Sequence, residues 1–115
     1  MIINNIEELN DLIREMEKRT GLFIGYSDLG RLLSFLDGFI YSKDINNIPY
    51  TQKEQFYIDN FYKWLVNYYA YPPDISAGVE SIIKFHAGLS PEEEAKLFFC
   101  LYKQWHKEEF GEDAW

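Results

Sequence analysis

Apolar side chains recur along this chain every three or four residues, and polar, proline or glycine breaks cut the recurrence into segments of helical length. No segment alternates strictly in twos, as a half-buried strand would. The pattern therefore specifies an all-α fold, a single-domain bundle of about five helices over residues 1–115.

The first helix is written in Ile6, Leu9, Ile13 and Met16, one apolar stripe, with Asn5 and Glu8 spaced as a capping box; it should run from about Ile6 to Lys18. Ser27 or Asp28 caps a second helix over about Leu29 to Ser42. Its Leu29, Leu32, Leu33, Leu36, Phe39 and Ile40 share a face. Gly38 within it costs about 1 kcal/mol relative to alanine, so another backbone is expected to pass close by.

Thr51 and Glu54 form a capping box for a third helix reaching about Tyr69, with Ile58, Phe61, Leu65 and Tyr68 or Tyr69 turned inward. Lys53, Asn60, Lys63 and Asn67 face outward, and Phe56 projects among them. Pro72 and Pro73 end that helix, because neither has an amide hydrogen with which to continue it. A shorter helix spans about Ala77 to Phe85. The last opens at Ser90-Pro91-Glu92-Glu93, where a capping serine, a proline in the first turn and acidic side chains at the positive helix end coincide. Its Leu97, Phe98, Leu101 and Trp105 point inward, and Gly111 closes it after about Glu109. The aromatic side chains are mostly core. Phe56, Tyr57, Tyr71 and Trp115 are the surface exceptions, with Trp115 on a short tail able to fold back.

Charge limits the partners. Nineteen acidic against eleven basic side chains give a net charge of −8, spread evenly over the two halves of the chain. A phosphate-binding surface needs clustered lysine and arginine, so direct binding to nucleic acid or to an anionic membrane is disfavoured. No apolar stretch approaches the roughly 20 residues that cross a bilayer. The N-terminal "MIINNIEELNDL" lacks the basic and apolar regions of a secretion signal. A lone cysteine, Cys100, lies in the apolar run "LFFCLY" and reads as a small core hydrophobe. These features give the expectation of a cytoplasmic protein.

Catalytic and ligand motifs offer little. His86 and His106 belong to no metal-ligand spacing, and Gly21, Gly25, Gly30 and Gly38 are too far apart for a phosphate loop. The carboxylate runs, Glu92 to Glu94 and Glu108 to Asp113, suit solvation and helix ends. No cofactor or metal is expected, and an enzyme is the weakest reading.

The stretch "RTGLFIG" and the following "LGRLLSFLDGF" resemble a pattern in immunity proteins of bacterial contact-dependent growth inhibition and related polymorphic-toxin systems. There, an arginine precedes a short aromatic-aliphatic-glycine turn, and a leucine- and aromatic-rich helix follows. Arg19, Gly21, Phe23, Ile24, Gly25, Leu29, Leu32, Phe35, Gly38 and Phe39 match that layout, while Thr20 stands where proline is common. The segment "EEEAKLFFCLYKQW" looks like the last helix of those proteins. On this reading Leu22, Phe23 and Ile24 plug the end of the bundle, and Gly21 and Gly25 give the turn its backbone freedom.

The resemblance implies a protein that binds one cognate toxin domain in a 1:1 complex and covers its active site or substrate path. The resemblance further implies, with the net charge of −8 in support, that the toxin is basic, most simply a nuclease. No contact residue carries over from the resemblance, because these families vary that surface. Exposed acids and aromatics supply the candidates instead: Asp37, Asp44, Glu54, Phe56, Tyr57, Asp59, Glu108 and Glu109. The rival reading is an acidic adaptor, or a nucleic-acid mimic inhibiting a basic host protein.

Overall fold

A computed structural model describes residues 8–19, 28–70, 78–87 and 90–115. Among them are five helices and no strand: α1 Leu9–Lys18, α2 Leu29–Ile45, α3 Gln52–Tyr68, α4 Val79–Ala87 and α5 Pro91–Phe110. The expected Asn5 cap, the plug at Leu22 to Ile24, and Tyr71 lie outside the described residues.

The first helix starts three residues later than expected, at Leu9: Glu8 is extended as its N-cap and makes no side-chain cap bond, so it does not serve as the inner arm of a capping box. The starts of α2, α3 and α5 are made as their local polar signals specify. The Asp28 carboxylate accepts the Arg31 amide at 2.9 Å, and the Ser90 hydroxyl accepts that of Glu93 at 3.2 Å. At α3 both arms of the capping box form: Glu54 N–H donates to Thr51 Oγ1 at 3.1 Å, and Thr51 N–H to Glu54 Oε1 at 2.9 Å. Gly111 ends α5 in the left-handed region at φ +71°, its amide returning to the Lys107 carbonyl. The α2 helix runs to Ile45, one turn beyond expectation. Asn47, at φ +55°, and Ile48 then send their amides back to the carbonyls of Asp44 and Lys43, the paired bonds of a Schellman ending.

The helices close on one apolar core. The C-terminal α5 touches the other four, with α1 against α2 and α4 against both α2 and α3. Leu9, Leu12, Ile13 and Met16 of α1 meet Leu29, Leu32 and Leu36 of α2, Phe61, Trp64 and Leu65 of α3, and Ile82 and Ile83 of α4. Trp105 and Phe98 of α5 sit at the centre, and the Phe61 ring meets both edge-on. The buried Trp105 indole finds its partner in Asn60, at 2.9 Å. Asn60 was expected on the outer face.

Three further expectations are corrected. Cys100 is exposed, since the buried positions around it on α5 (Phe98, Phe99, Leu101 and Tyr102) leave it on the outer side. Nothing among the described residues comes within 4 Å of a side-chain carbon built on Gly38, so none of their backbone passes close by. On α3, Ile58 and Tyr68 lie outside and Trp64 inside, because the inward face is turned toward Phe61, Trp64 and Leu65.

Candidate functional site

Three of the candidate contact residues belong to the interior. Glu54 is only 3% exposed. Its carboxylate takes the Lys43 ammonium on both oxygens, at 2.6 and 2.7 Å, and the amides of Leu9 and Thr51, each at 2.9 Å. One anion thus joins the first turns of α1 and α3, where the helix dipoles are positive, to the last turn of α2. Phe56 is half-buried, stacked on Trp105 and edge-on to Phe110. Tyr57 stacks on Phe61, and its phenol is pushed up from its ordinary pKa, first by burial and then by the Asp37 charge.

The other candidates are exposed but dispersed. Asp44 closes the last turn of α2, where its contact with Tyr50 leads the causes that push that phenol up to about 12. Asp59 is held by Gln55 on the outside of α3. Glu108 accepts the Trp64 indole N–H and the Gln104 amide, each at 3.0 Å, on the flank of α3 turned away from Ile58. Glu109 is exposed beside it.

A groove of about 480 Å³ runs between α2 and α3 and ends at the start of α4. Leu33, Asp37 and Ile40 line it from α2, following the three- and four-residue spacing of a single helix face. Tyr57, Ile58 and Tyr62 line it from α3, and Glu80 closes it from α4. Ile58 is 40% exposed and Tyr62 36%, so the walls present apolar surface to solvent. Among the described residues no basic side chain lines it. Glu80 lies against the first turn of α2, where a side-chain carbon on Gly30 would meet its carboxylate at 3.0 Å, and it pairs with exposed Lys84 at 3.4 Å.

The structure therefore brings Asp37 and Tyr57 together and adds Ile58, Tyr62 and Glu80, which sequence reasoning did not single out. Ile58 read as core from its spacing. Glu80 had no signal, since only the packing of α4 on α2 places it there.

The histidines have structural settings. His106 is buried on α5, its Nδ1 2.9 Å from the Glu112 carbonyl and its Nε2 3.3 Å from the Lys53 ammonium. With Nδ1–H donating to the carbonyl, Nε2 is free to accept from Lys53. Lys53 also binds Glu112 at 2.6 Å and holds that carboxyl below its usual range. The His86 ring stacks on Tyr69 with centroids 3.7 Å apart. Among the described residues no group of three or more His, Cys, Asp or Glu gathers where it could hold a metal. No helix there is long and apolar enough to cross a membrane.

The tail folds back. The Trp115 indole donates to Glu17 at 3.0 Å, its ring stacks on Tyr102, and Lys103 sits over its face. Asn10 donates to the Ala114 carbonyl at 3.1 Å, so α1 holds the chain's last residues against α5.

Comparisons with protein-family models, curated proteins and solved structures find no match to this chain.

Proposed function

We propose that this chain is an immunity protein that binds and neutralises one cognate toxin domain in the bacterial cytoplasm. The observation that carries the reading is the open apolar groove between α2 and α3, bordered by Asp37 and Glu80 and lined by no basic side chain among the described residues, on a chain of net charge −8. The resemblance of "RTGLFIG" and "LGRLLSFLDGF" to immunity proteins gives the class.

The mode of action is occlusion. A nuclease concentrates lysine and arginine where the phosphates lie. An acidic surface is drawn toward such a site, and long-range attraction speeds encounter, while apolar contacts that exclude water slow dissociation. Exposed Asp37, Asp44 and Asp59 on α2 and α3 supply charge, and Ile58 and Tyr62 supply apolar contact. The protein acts by covering the toxin's active site or substrate groove and needs no cofactor of its own.

The test is co-expression with the variable C-terminal toxin domain encoded immediately upstream. A complex that survives purification, with growth restored in cells making the toxin, is the expected result. Growth arrest despite equal expression of both proteins would refute the proposal. In that case, capture of a DNA-binding host protein at a basic surface would favour the acidic-adaptor reading.

A further inference from the structure

The groove has features that constrain its occupant beyond overall charge. Its two carboxylates stand at separate points. Glu80 lies against Gly30, and Asp37 is seven residues further along α2, which places the two about 10 Å apart along the groove at 1.5 Å per residue. Between Gly30 and Asp37 the α2 wall carries Leu33 and Ser34, and the facing α3 wall carries the exposed apolar surface of Ile58 and Tyr62. Asp37 faces the neutral Tyr57 phenol, and Lys84, the cation paired with Glu80, is half-exposed one turn further along α4. The groove thus sets two separate acidic points beside largely apolar walls.

We infer that this groove is the docking site for the toxin, and that its occupant is an amphipathic helical segment of the toxin with two cationic side chains about two turns apart and an apolar side chain between them. The inference rests on the immunity reading and specifies the face that reading uses. A helix with cations at positions i and i+7 spaces their attachment points by about 10 Å, and a residue at i+3 or i+4 lies between them on the same face. The cations meet Asp37 and Glu80, and the apolar side chain enters against Leu33 and Ile58. Arginine suits both charged positions, because its planar guanidinium takes a carboxylate through two parallel N–H donors and its stem packs on apolar walls.

The test is titration calorimetry of the purified toxin domain with the wild-type protein and with Asp37→Lys, Asp37→Asn, Ile58→Asp and Glu108→Lys, each first checked for cooperative melting. Asp37→Lys and Ile58→Asp should weaken binding by roughly 30-fold or more. Asp37→Asn, which keeps the shape and so guards against a folding artefact, should lose roughly 10-fold. Glu108→Lys should change affinity less than about threefold, as expected of a charge outside the interface. Restoration of Asp37→Lys binding by reversing one toxin arginine to glutamate would support the pairing directly.

Groove variants that bind as tightly as wild type would overturn the groove assignment while leaving the immunity reading intact. No complex with the wild-type protein would overturn both. Light scattering on the protein alone supplies a further check. A dimer that Asp37→Lys dissociates would identify a second copy as the occupant, and that result also refutes the inference.

Discussion

Replacing Glu54 by alanine should destabilise the bundle far more than replacing its ionic partner, Lys43, by methionine. Glu54 receives the Lys43 ammonium and the amides of Leu9 and Thr51, all at 2.6 to 2.9 Å, in a site that leaves 3% of the residue exposed. Glu54→Ala leaves a buried ammonium without its carboxylate and two amides without their acceptor. Breaking a buried pair from one side costs about 3–5 kcal/mol, and an orphaned buried donor about 1–3 kcal/mol. The contributions share one carboxylate and do not simply add, so about 4 kcal/mol is the expected loss. For a domain of this length that lowers the melting temperature by about 15 °C.

Lys43→Met keeps the carboxylate on both helix N-termini, where it stays hydrogen-bonded and favoured by the dipoles. Its cost should be only about 1–2 kcal/mol. Urea unfolding of both variants, followed by circular dichroism, measures the two values. A Glu54→Ala loss below about 1 kcal/mol, or a larger loss for Lys43→Met, would refute the placement of Glu54 as the junction of three helix ends.

Gly38→Ala should raise stability by about 0.5–1 kcal/mol, since the added methyl meets nothing within 4 Å among the described residues and the helix gains a better former; a loss in the same urea assay would mean that another backbone does approach. Ala70→Gly should stabilise by about 0.5 kcal/mol, because Ala70 holds φ +53° after α3, where a side-chain carbon is strained. Burial raises the Tyr57 and Tyr102 phenols above the ordinary value of 10, so their stabilising contribution is whole below pH 10 and declines above it. Each should lose about 1.4 kcal/mol in all between pH 9 and 11, and Tyr57→Phe should make the fall of the urea midpoint over that range measurably shallower; an unchanged fall would refute the burial of the phenol. Trp115→Ala should cost about 2 kcal/mol through the lost Tyr102 stacking and Glu17 bond, and an unchanged urea midpoint would place the tail off the bundle.

Most local signals carried across to the structure, Glu8 at the start of α1 excepted, and long-range ones did not. The caps at Asp28, Thr51 and Ser90 and the stop at Gly111 each depend on residues within four positions, and all of them form. The Leu9, Ile13 and Met16 stripe was legible because acidic residues flank it on α1. On α3 aromatics surround the helix on several sides, so spacing left the inward face open, and Ile58 and Trp64 were exchanged. Glu54 carried two signals. Its capping role was local and readable, whereas its burial depends on Leu9, 45 positions away, and on the end of α2. The groove was less legible still. Asp37 and Tyr57 stood out as a charge and an aromatic, but their meeting, and the arrival of Glu80, follow from the packing of three helices.

The central claim is neutralisation by stoichiometric occlusion, and the direct measurement is the toxin domain's own activity as this protein is added. With a nuclease toxin, cleavage of a labelled substrate should fall linearly and reach background at one equivalent. Raising the salt concentration should slow association while leaving the stoichiometry unchanged. Full cleavage activity in the presence of excess protein would contradict the account.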